Sequence, residues 1–477
     1  MSLPHRKTDR VLESGVEDLQ KQQVHEHDPI SYLFPAEISS RIFLFVASQP
    51  DEAHEKPWQA LVLASVSHRW REIATSEPRL WTSIILTLDG GPPPLPHPDT
   101  LGEFLRRSGQ LPLSIYVRSL LEEEITIALF RPLCDVLSGC ADRWASLDIS
   151  GPLHLVSLFH AKYEGRSILN SIFITPEGID HESRSAARFD LGEMVPGPRF
   201  ITTIGMPLPS VRVNLDNVDF LTMHSLHIDE CVEILRRSPK LQRCNFSFIQ
   251  PGSAAIRIPE ERLWLPKLKS LVLFNLGRHR SESARLFDYI TAPSLETLSA
   301  SAENDADMIT LFSFLSRSSP TLKSLTFWGA PTEEALIRLL RKLPTLQSLD
   351  IFNVDISNVF FDLLASTTNL LSGPQFLPSL ISLRLKISKP ITFSWRSVAG
   401  IFGALADEIE VDRAGSRQRP LSKLKMRLGD DEDDEDDGVN NITIEEDVVR
   451  LFLAYRAAGI SIEITDPDSD LDFILAD

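Results

Sequence analysis

Four cysteines come first in a search for chemistry, because a thiolate is both a nucleophile and a metal ligand. Cys134, Cys140, Cys231 and Cys244 form no C-x-x-C pair, and no histidine pair stands beside them at ligand spacing. They read as buried thiols in a reducing compartment. A second candidate is the cluster His25-Glu26-His27-Asp28. Histidines at i and i+2 do not share a helix face and nothing nearby completes a ligand set, so the cluster reads as solvated linker. The phosphate-binding patterns G-x-x-x-x-G-K and G-x-G-x-x-G are absent, as are the nucleophile elbow G-x-S-x-G and the metalloprotease pattern H-E-x-x-H. The carboxylates are many, and no spacing pairs them. The expectation is no catalytic residue, no metal and no cofactor.

Binding chemistry is better supplied. A column of residues, each just past the last inward residue of a repeat, runs Ser247, Phe274, Ser301, Trp328, Phe352 and Lys386. Three large aromatics at strand ends are of the type that dominates binding hot spots. Basic residues gather beside them toward the C-terminus, at Arg384, Lys386, Lys423, Lys425 and Arg427, and the competing reading of this margin is that the nearby acidic loop at Asp430 screens it within the chain. The candidate target-binding residues are therefore Phe274, Trp328, Phe352, Arg384 and Lys386. The competing reading is that the rings fold over the strand ends and complete the core, since exposed aromatic patches are uncommon on soluble proteins.

The elements that position these residues come from a repeat. Segments at Pro239, Pro266, Pro293, Pro320, Pro344 and Pro378 align on the order P-x-L-x-x-L-x-L, with Cys244, Phe246, Ala300, Phe327 and Ile351 standing at leucine positions, and the prolines step by 27, 27, 27, 24 and 34. A degenerate copy starts at Pro420. That period and core read as leucine-rich repeats: each L-x-L is a short strand and the intervening stretch an amphipathic helix. Helices are expected over 228–237, 283–290, 307–316, 332–343 and 357–366, the fourth capped by Thr332. One strand–helix unit cannot bury its apolar face alone, so stacking supplies the core. Asn275 and Asn353 stand two residues past the last leucine rather than three, so the inner turn is expected to be irregular. Before the repeats, strands are expected at 113–117, 145–149 and 171–174, with helices at 101–107, 125–137 and 153–162.

Upstream, residues 28–84 hold a Pro-led helix ending at Pro50 and a second helix opening at Pro57 and stopping at Pro78. Ile38, Ile42, Phe45 and Val46 share one face of the first, and Leu63, Val66, Trp70 and Ile73 one stripe of the second. This is more bulky apolar material than so small a core needs, so part of it should be covered by the rest of the chain or by a partner.

At these residues the chain resembles an F-box. The matching residues are Leu33, Pro35, Glu37, Ile38, Ile42 and Phe43, then Val66, Trp70, Leu80 and Trp81. Phe34 is inserted into the usual Leu-Pro pair, and the polar loop before Trp58 is longer than the family norm. The resemblance covers about one eighth of the chain. It implies that those ten residues form a docking surface for the Skp-type adaptor of a cullin-based (SCF) ubiquitin ligase. The helix, strand and proline order, with Ser-Gly-Gln-Leu-Pro-Leu-Ser at 108–114, is similar to the F-box and leucine-rich-repeat proteins abundant in mushroom-forming fungi. What this implies is a non-enzymatic, substrate-recruiting subunit. The alternative is a repeat scaffold whose helical hairpin only caps the solenoid.

The expected layout is a tail over 1–27 with a possible short helix at 9–24, and a small all-α domain over 28–85. A Pro/Gly-rich linker follows over 86–100. An α/β solenoid then fills 101–477, with a disordered acidic loop at 429–438. Asp430 to Asp437 are eight consecutive acids, read as a solvated insertion rather than an interaction tail. The chain has 477 residues, 43% of them hydrophobic, and a net charge of −18. An acidic balance argues against a general nucleic-acid binder, which would need basic surface to displace counterions. No apolar run is long enough to span a bilayer and the N-terminus is polar, so the expectation is a cytosolic or nuclear protein without membrane or nucleic-acid partners.

Overall fold

The computed structural model describes residues 30, 33–47, 58–88, 95–160, 166–177, 188–192, 194–206, 208–253, 256–274, 280–329, 331–366, 376–387, 391–403, 421–429 and 444–465. The expected helix at 9–24, the His25 cluster, Asn275, the acidic block at 430–437 and residues 89–94 of the expected linker lie outside them. The chain divides into two compact units, residues 1–198 with 209–214, and 199–208 with 215–477.

The first unit opens with α1 (Ala36–Ala47), α2 (Gln59–Val66), α3 (His68–Ser76) and a 3₁₀ turn at Pro78–Trp81. The sequence pattern put α2 and α3 in one helix. They are two, because Ser67 sits in extended backbone at φ −153° and its hydroxyl accepts the Trp70 N–H at 3.1 Å as an N-cap. The stripe is broken accordingly: Leu63 and Ile73 are buried and Val66 is exposed.

Residues 86–88, expected in the linker, belong with 83–85 to strand β1 (Ser83–Leu88), paired in parallel with β2 (Leu113–Ser119), and 98–100 at the linker's other end are already helical. Next come β3 (Trp144–Pro152) and β4 (Ser171–Glu177), all parallel, with α4 (Pro98–Arg107) and α5 (Glu123–Ser138) in the crossovers. Ile84, Ile115, Leu147 and Ile172 stand in register and are buried. On the opposite face the register sets Asp148 between Tyr116 and Phe173. The helix expected at 153–162 shrinks to one turn, Leu153–Val156.

The Ser108–Ser114 stretch has a structural reason. Arg143 is buried, and its guanidinium donates to the Leu111 carbonyl at 3.0 Å, the Leu105 carbonyl at 3.2 Å and the Ser108 hydroxyl at 2.5 Å. A buried cation thus closes the C-terminal end of α4, where carbonyl oxygens lack partners.

The second unit is a parallel array of strands alternating with helices. Its strands in order are β5 (Phe200–Ile204), β6 (Phe220–His224), β7 (Arg243–Ser247), β8 (Ser270–Phe274), β9 (Thr297–Ala302) and β10 (Ser324–Gly329). The array continues through β11 (Ser348–Phe352), β12 (Ser382–Ile387), β13 (Lys423–Leu428) and β14 (Ser461–Thr465). Each strand is hydrogen-bonded to its neighbours in that order. The helices are α6 (Ile228–Arg237), α7 (Asp305–Ser318), α8 (Glu333–Leu340), α9 (Asn358–Ser366), α10 (Trp395–Gly400) and α11 (Glu446–Ala457), and where a helix is expected at 283–290 there is a short one, Arg280–Arg285, followed by a 3₁₀ turn at Leu286–Tyr289.

The repeat pattern now has a mechanism for each position. The proline occupies the second place of a tight turn: in Leu343-Pro344-Thr345-Leu346 the Leu346 N–H returns to the Leu343 carbonyl at 3.2 Å. The first leucine of each repeat, Leu268, Leu295, Leu322 and Leu346 among them, is buried. The carbonyl after it ties two repeats, as Gln242 does in accepting from Lys269 and Ser270 at 2.8 and 3.0 Å. The next two apolar residues, such as Leu325 and Phe327, point into the core, and the residues between them face the other way. Asn353 takes a positive φ of 56° and sends its N–H to the Lys386 carbonyl at 3.2 Å. Ser225 and Phe248 stand at the same point of their repeats with φ 61° and 57°. The position selects left-handed backbone, which asparagine tolerates.

Candidate functional sites

The helical segment carries the first candidate. Its core is built from aromatic side chains. Trp81 is fully buried, its indole N–H donates to the Ala74 carbonyl at 2.8 Å, and the Arg107 guanidinium lies 4.4 Å from its ring. Phe104 meets Trp81 edge-on at 4.8 Å and Trp58 edge-on at 5.1 Å. Phe43 is buried against Trp70, with ring centroids 4.7 Å apart. Glu77 accepts from the Ser40 hydroxyl at 2.8 Å and pairs with Arg79, whose hydrogen bonds hold the Glu77 carboxyl down at about 2.

Of the ten residues expected at a docking surface, Leu33, Pro35, Glu37, Ile38 and Val66 are exposed, and Ile42 and Trp70 are half-buried. Phe43, Leu80 and Trp81 are core residues, so a partner would not touch them. Exposure is pronounced at Leu33 (71%) and Val66 (56%). Phe34, Phe45 (68%) and Val46 are exposed too, and so are Leu61 and Val62, which the sequence pattern did not single out. The readable signal was α2 itself. Gln-Ala-Leu-Val-Leu-Ala-Ser-Val is apolar on every side, and a surface helix buries only one. Beside this surface Glu37, Ser40, Arg69, Glu72 and Glu77, together with Ala36 and Ile73, line a cleft of about 420 Å³.

The second candidate lies on the sheet face of the second unit, turned away from its buried leucines. Strand pairing aligns Ser247 with Phe274, Ser301 with Trp328, Trp328 with Phe352, and Phe352 with Lys386. The expected column is thus in register from Ser247 to Phe274 and from Ser301 to Lys386, and the second run continues to Arg427. Its rings pack on one another. Trp328 stacks on Phe352 at 5.5 Å with 16° between planes, and Phe274 meets Trp328 edge-on at 5.1 Å. Neighbouring strands lie about 4.8 Å apart, so Phe274 and Trp328, two strands distant, meet only because a small residue, Ser301, stands between them. Ser301 is buried, and its hydroxyl shares a hydrogen bond of 3.0 Å with Ser283. Phe248 and His224 lengthen the series, with centroids 6.4 Å from Phe274 and 6.3 Å from each other respectively. Sequence spacing missed Phe248 because it lies one residue past the column. Phe274, Trp328 and Phe352 are half-buried, neither free nor part of the leucine core.

The basic margin occupies the same face. Arg384 aligns with Asp350 and Lys425, and Lys386 with Arg427. Among the described residues Asp350 stands 3.5 Å from Arg384, and Glu463 2.6 Å from Lys425. Burial pushes the Asp350 carboxyl up, and Arg384 and Lys423 pull against that shift.

Nucleophile chemistry finds no support at the thiols. Burial pushes Cys134 up to about 12 and Cys140 to about 11, and it raises Cys231 and Cys244 as well. Among the described residues no group of three or more His, Cys, Asp or Glu is placed to hold a metal ion, and no helix is long and apolar enough to cross a membrane. Both sites are equipped to bind. No protein-family model matches the sequence, and no curated protein matches it.

Proposed function

We propose that the chain is a non-catalytic, substrate-recruiting subunit of an SCF-type ubiquitin ligase. In this reading α1 to α3 are an F-box that docks on a Skp-type adaptor and through it a cullin, and leucine-rich repeats in the second unit hold a target protein. The observation that carries it is the coexistence, in one small helical segment, of a filled aromatic core and a second set of exposed apolar residues, Leu33, Phe45, Val62 and Val66. Burying each such side chain stabilises an assembly by about 1.5–3 kcal/mol, so a partner that covers several gains enough for specific binding. The chemistry then belongs to a separate enzyme, and this chain raises the effective concentration of a target lysine beside it. Its workplace is the cytosol or the nucleus, where such ligases meet their targets.

The test is a pull-down of the full-length chain with purified Skp-type adaptor, wild type against a Leu33→Glu, Val66→Glu pair. Both sites are exposed, so the variant keeps its fold. Binding lost in the variant alone supports the reading. No binding by the wild type sinks it.

A second reading has its own observation. Phe104 of α4 is gripped between Trp58 and Trp81, so the helical segment is built onto the first strand–helix crossover of its unit. A repeat scaffold with a helical cap would need that grip too, but it would not need the exposed apolar set.

A further inference from the structure

We infer that Asp148, standing between Tyr116 and Phe173 on the outward face of the first unit's sheet, takes the arginine side chain of a partner protein.

The carboxylate is where a structural role would not leave it. It is half-buried on β3, and among the described residues it has no hydrogen-bond or ion-pair partner. Other buried or half-buried carboxylates are answered: Glu77 by Arg79 and Ser40, Asp229 by Ser253, Glu230 by the His227 and Leu208 N–H groups, Asp350 by Arg384. Burial raises the Asp148 carboxyl to about 6, with no cation pulling against the shift, and at neutral pH it is ionised. A charge held in this way lowers stability unless something from outside the fold answers it.

Charge complementarity selects a cation, and the neighbours select its shape. Register sets Tyr116 and Phe173 one strand to either side. Two strand spacings hold those ring positions about 9.6 Å apart, so a cation over Asp148 lies about 4.8 Å from each, within the roughly 6 Å over which a ring face attracts a cation. Tyr116 has a contact of its own and is the fixed wall, while Phe173 is 40% exposed and open. Arginine suits this setting better than lysine. Its flat guanidinium lies along a ring, forks onto one carboxylate and sheds water more readily.

The surroundings limit the occupant further. The row before Asp148 is Ser83, Ser114, Ser146 and Ser171, short side chains that leave room for a peptide backbone. The row beyond holds the exposed Arg118 between Thr87 and Ser150. A cation there turns away a basic run, so the site takes a single arginine rather than a polybasic tail. The stretches 161–165 and 178–187, which flank β4, lie outside the described residues. Besides His181 they hold two cations, Lys162 and Arg184, against three acids, Glu164, Asp180 and Glu182, so they bring no excess of positive charge. At longer range the net charge of −18 favours the approach of a cationic partner.

The test is selection of random 12-residue peptides on the full-length chain without adaptor, with counter-selection on Asp148→Asn. Peptides that tell the two chains apart are then measured by fluorescence polarisation. Asp148→Asn removes the charge and keeps the shape, and it should melt no earlier than wild type at pH 7, so lost binding is not lost folding. The expected peptides share one arginine. Replacing that arginine with Gln, or Asp148 with Asn, should each weaken binding at least about tenfold, and both together little more, because they act through one contact. Phe173→Ala, at an exposed ring, should weaken it about two- to fivefold. The inference is overturned if no peptide distinguishes the two chains, if those that do lack arginine, or if the two replacements simply add. It is overturned too if Asp148→Asn melts earlier at pH 7, which would show the carboxylate already paired within the chain, by Lys162 or Arg184 for example. Self-association of the wild type that Asp148→Asn abolishes would make the occupant a second copy and overturn it as well. The selection uses no adaptor, so this site and the ligase reading can fail separately.

Discussion

Glu333, the first residue of α8, takes both the backbone N–H and the hydroxyl of Ser357, at 2.9 and 2.6 Å. Ser357 in turn opens the next helix, its hydroxyl accepting the Val359 N–H at 3.1 Å. One side chain therefore fixes where the following helix begins. The relation recurs: Asp305 accepts from the N–H and hydroxyl of Thr332 at 3.2 and 3.0 Å, and Asn358 accepts from the Ser394 N–H at 2.7 Å. Asp229 holds Ser253 in the same way, at 3.1 and 2.7 Å. Repeats are thus tied on the helix side by side chains as well as on the sheet side by backbone.

Breaking one tie should be costly out of proportion to its exposure. Glu333→Ala leaves a half-buried N–H and hydroxyl without their acceptor, which costs about 1–3 kcal/mol. The urea midpoint should fall. Combined with Ser357→Ala, the double variant should lose clearly less than the sum, because the two act through one contact. Strict additivity would show that the tie contributes nothing.

The helical segment separates folding from docking. Trp81→Ala removes a buried ring and should destabilise by about 3–5 kcal/mol, read as a lower thermal midpoint. Leu33→Ala should leave that midpoint within a degree or two and still weaken adaptor binding. A Leu33 variant that melts like the Trp81 variant would place Leu33 in the core and contradict its exposure.

Asp148 gives the stability curve a distinctive slope. Burial on the sheet face raises its carboxyl from 3.8 to about 6. The folded state therefore holds this proton where the unfolded state has lost it. Its contribution is fully present below pH 3.8 and is lost as pH rises to about 6. Asp148→Asn should stabilise the protein at pH 7 by about 1–3 kcal/mol and change little at pH 3.5 or below. An equal effect at both pH values would refute the assignment.

Gly329 ends β10 with φ 144°, and a Cβ there would stand 1.7 Å from the Ala302 carbonyl oxygen on β9. Backbone meets backbone, so no flexible side chain can yield. Gly329→Ala should cost about 1–3 kcal/mol from strain and also displace the adjacent Trp328. The near-ultraviolet circular dichroism of the stacked pair should then shrink, and an unchanged spectrum would count against the close approach.

How much of this was legible in sequence follows from what each position has to satisfy. The P-x-L-x-x-L-x-L core was readable because turn, burial and alternation each demand one residue type, and so the column came out in register from Ser247 to Phe274 and from Ser301 to Lys386. The strands at Phe200–Ile204 and Phe220–His224 were not, since Phe-Ile-Thr-Thr-Ile and Phe-Leu-Thr-Met-His keep the alternation but lack the leucines and the proline. At the first candidate site, residue type alone could not separate Trp81, which is core, from Leu33, which is surface, because both are large and apolar. The break at Ser67 was hidden by a helical stripe that runs straight through it. The helix-side ties were invisible for a different reason: each joins residues 24 to 36 positions apart through ordinary Glu, Asp, Asn, Ser and Thr.

The register of the second unit has an evolutionary consequence. Successive prolines are separated by anything from 24 to 34 residues, yet the facing strands stay aligned residue for residue. Length variation is absorbed in the crossovers, away from the outward positions. Those positions form an array of fixed pitch, like type in a composing stick. Each can be exchanged for another letter without resetting the line, so lineages carrying this architecture can change what they recognise by point substitution while the scaffold stays the same.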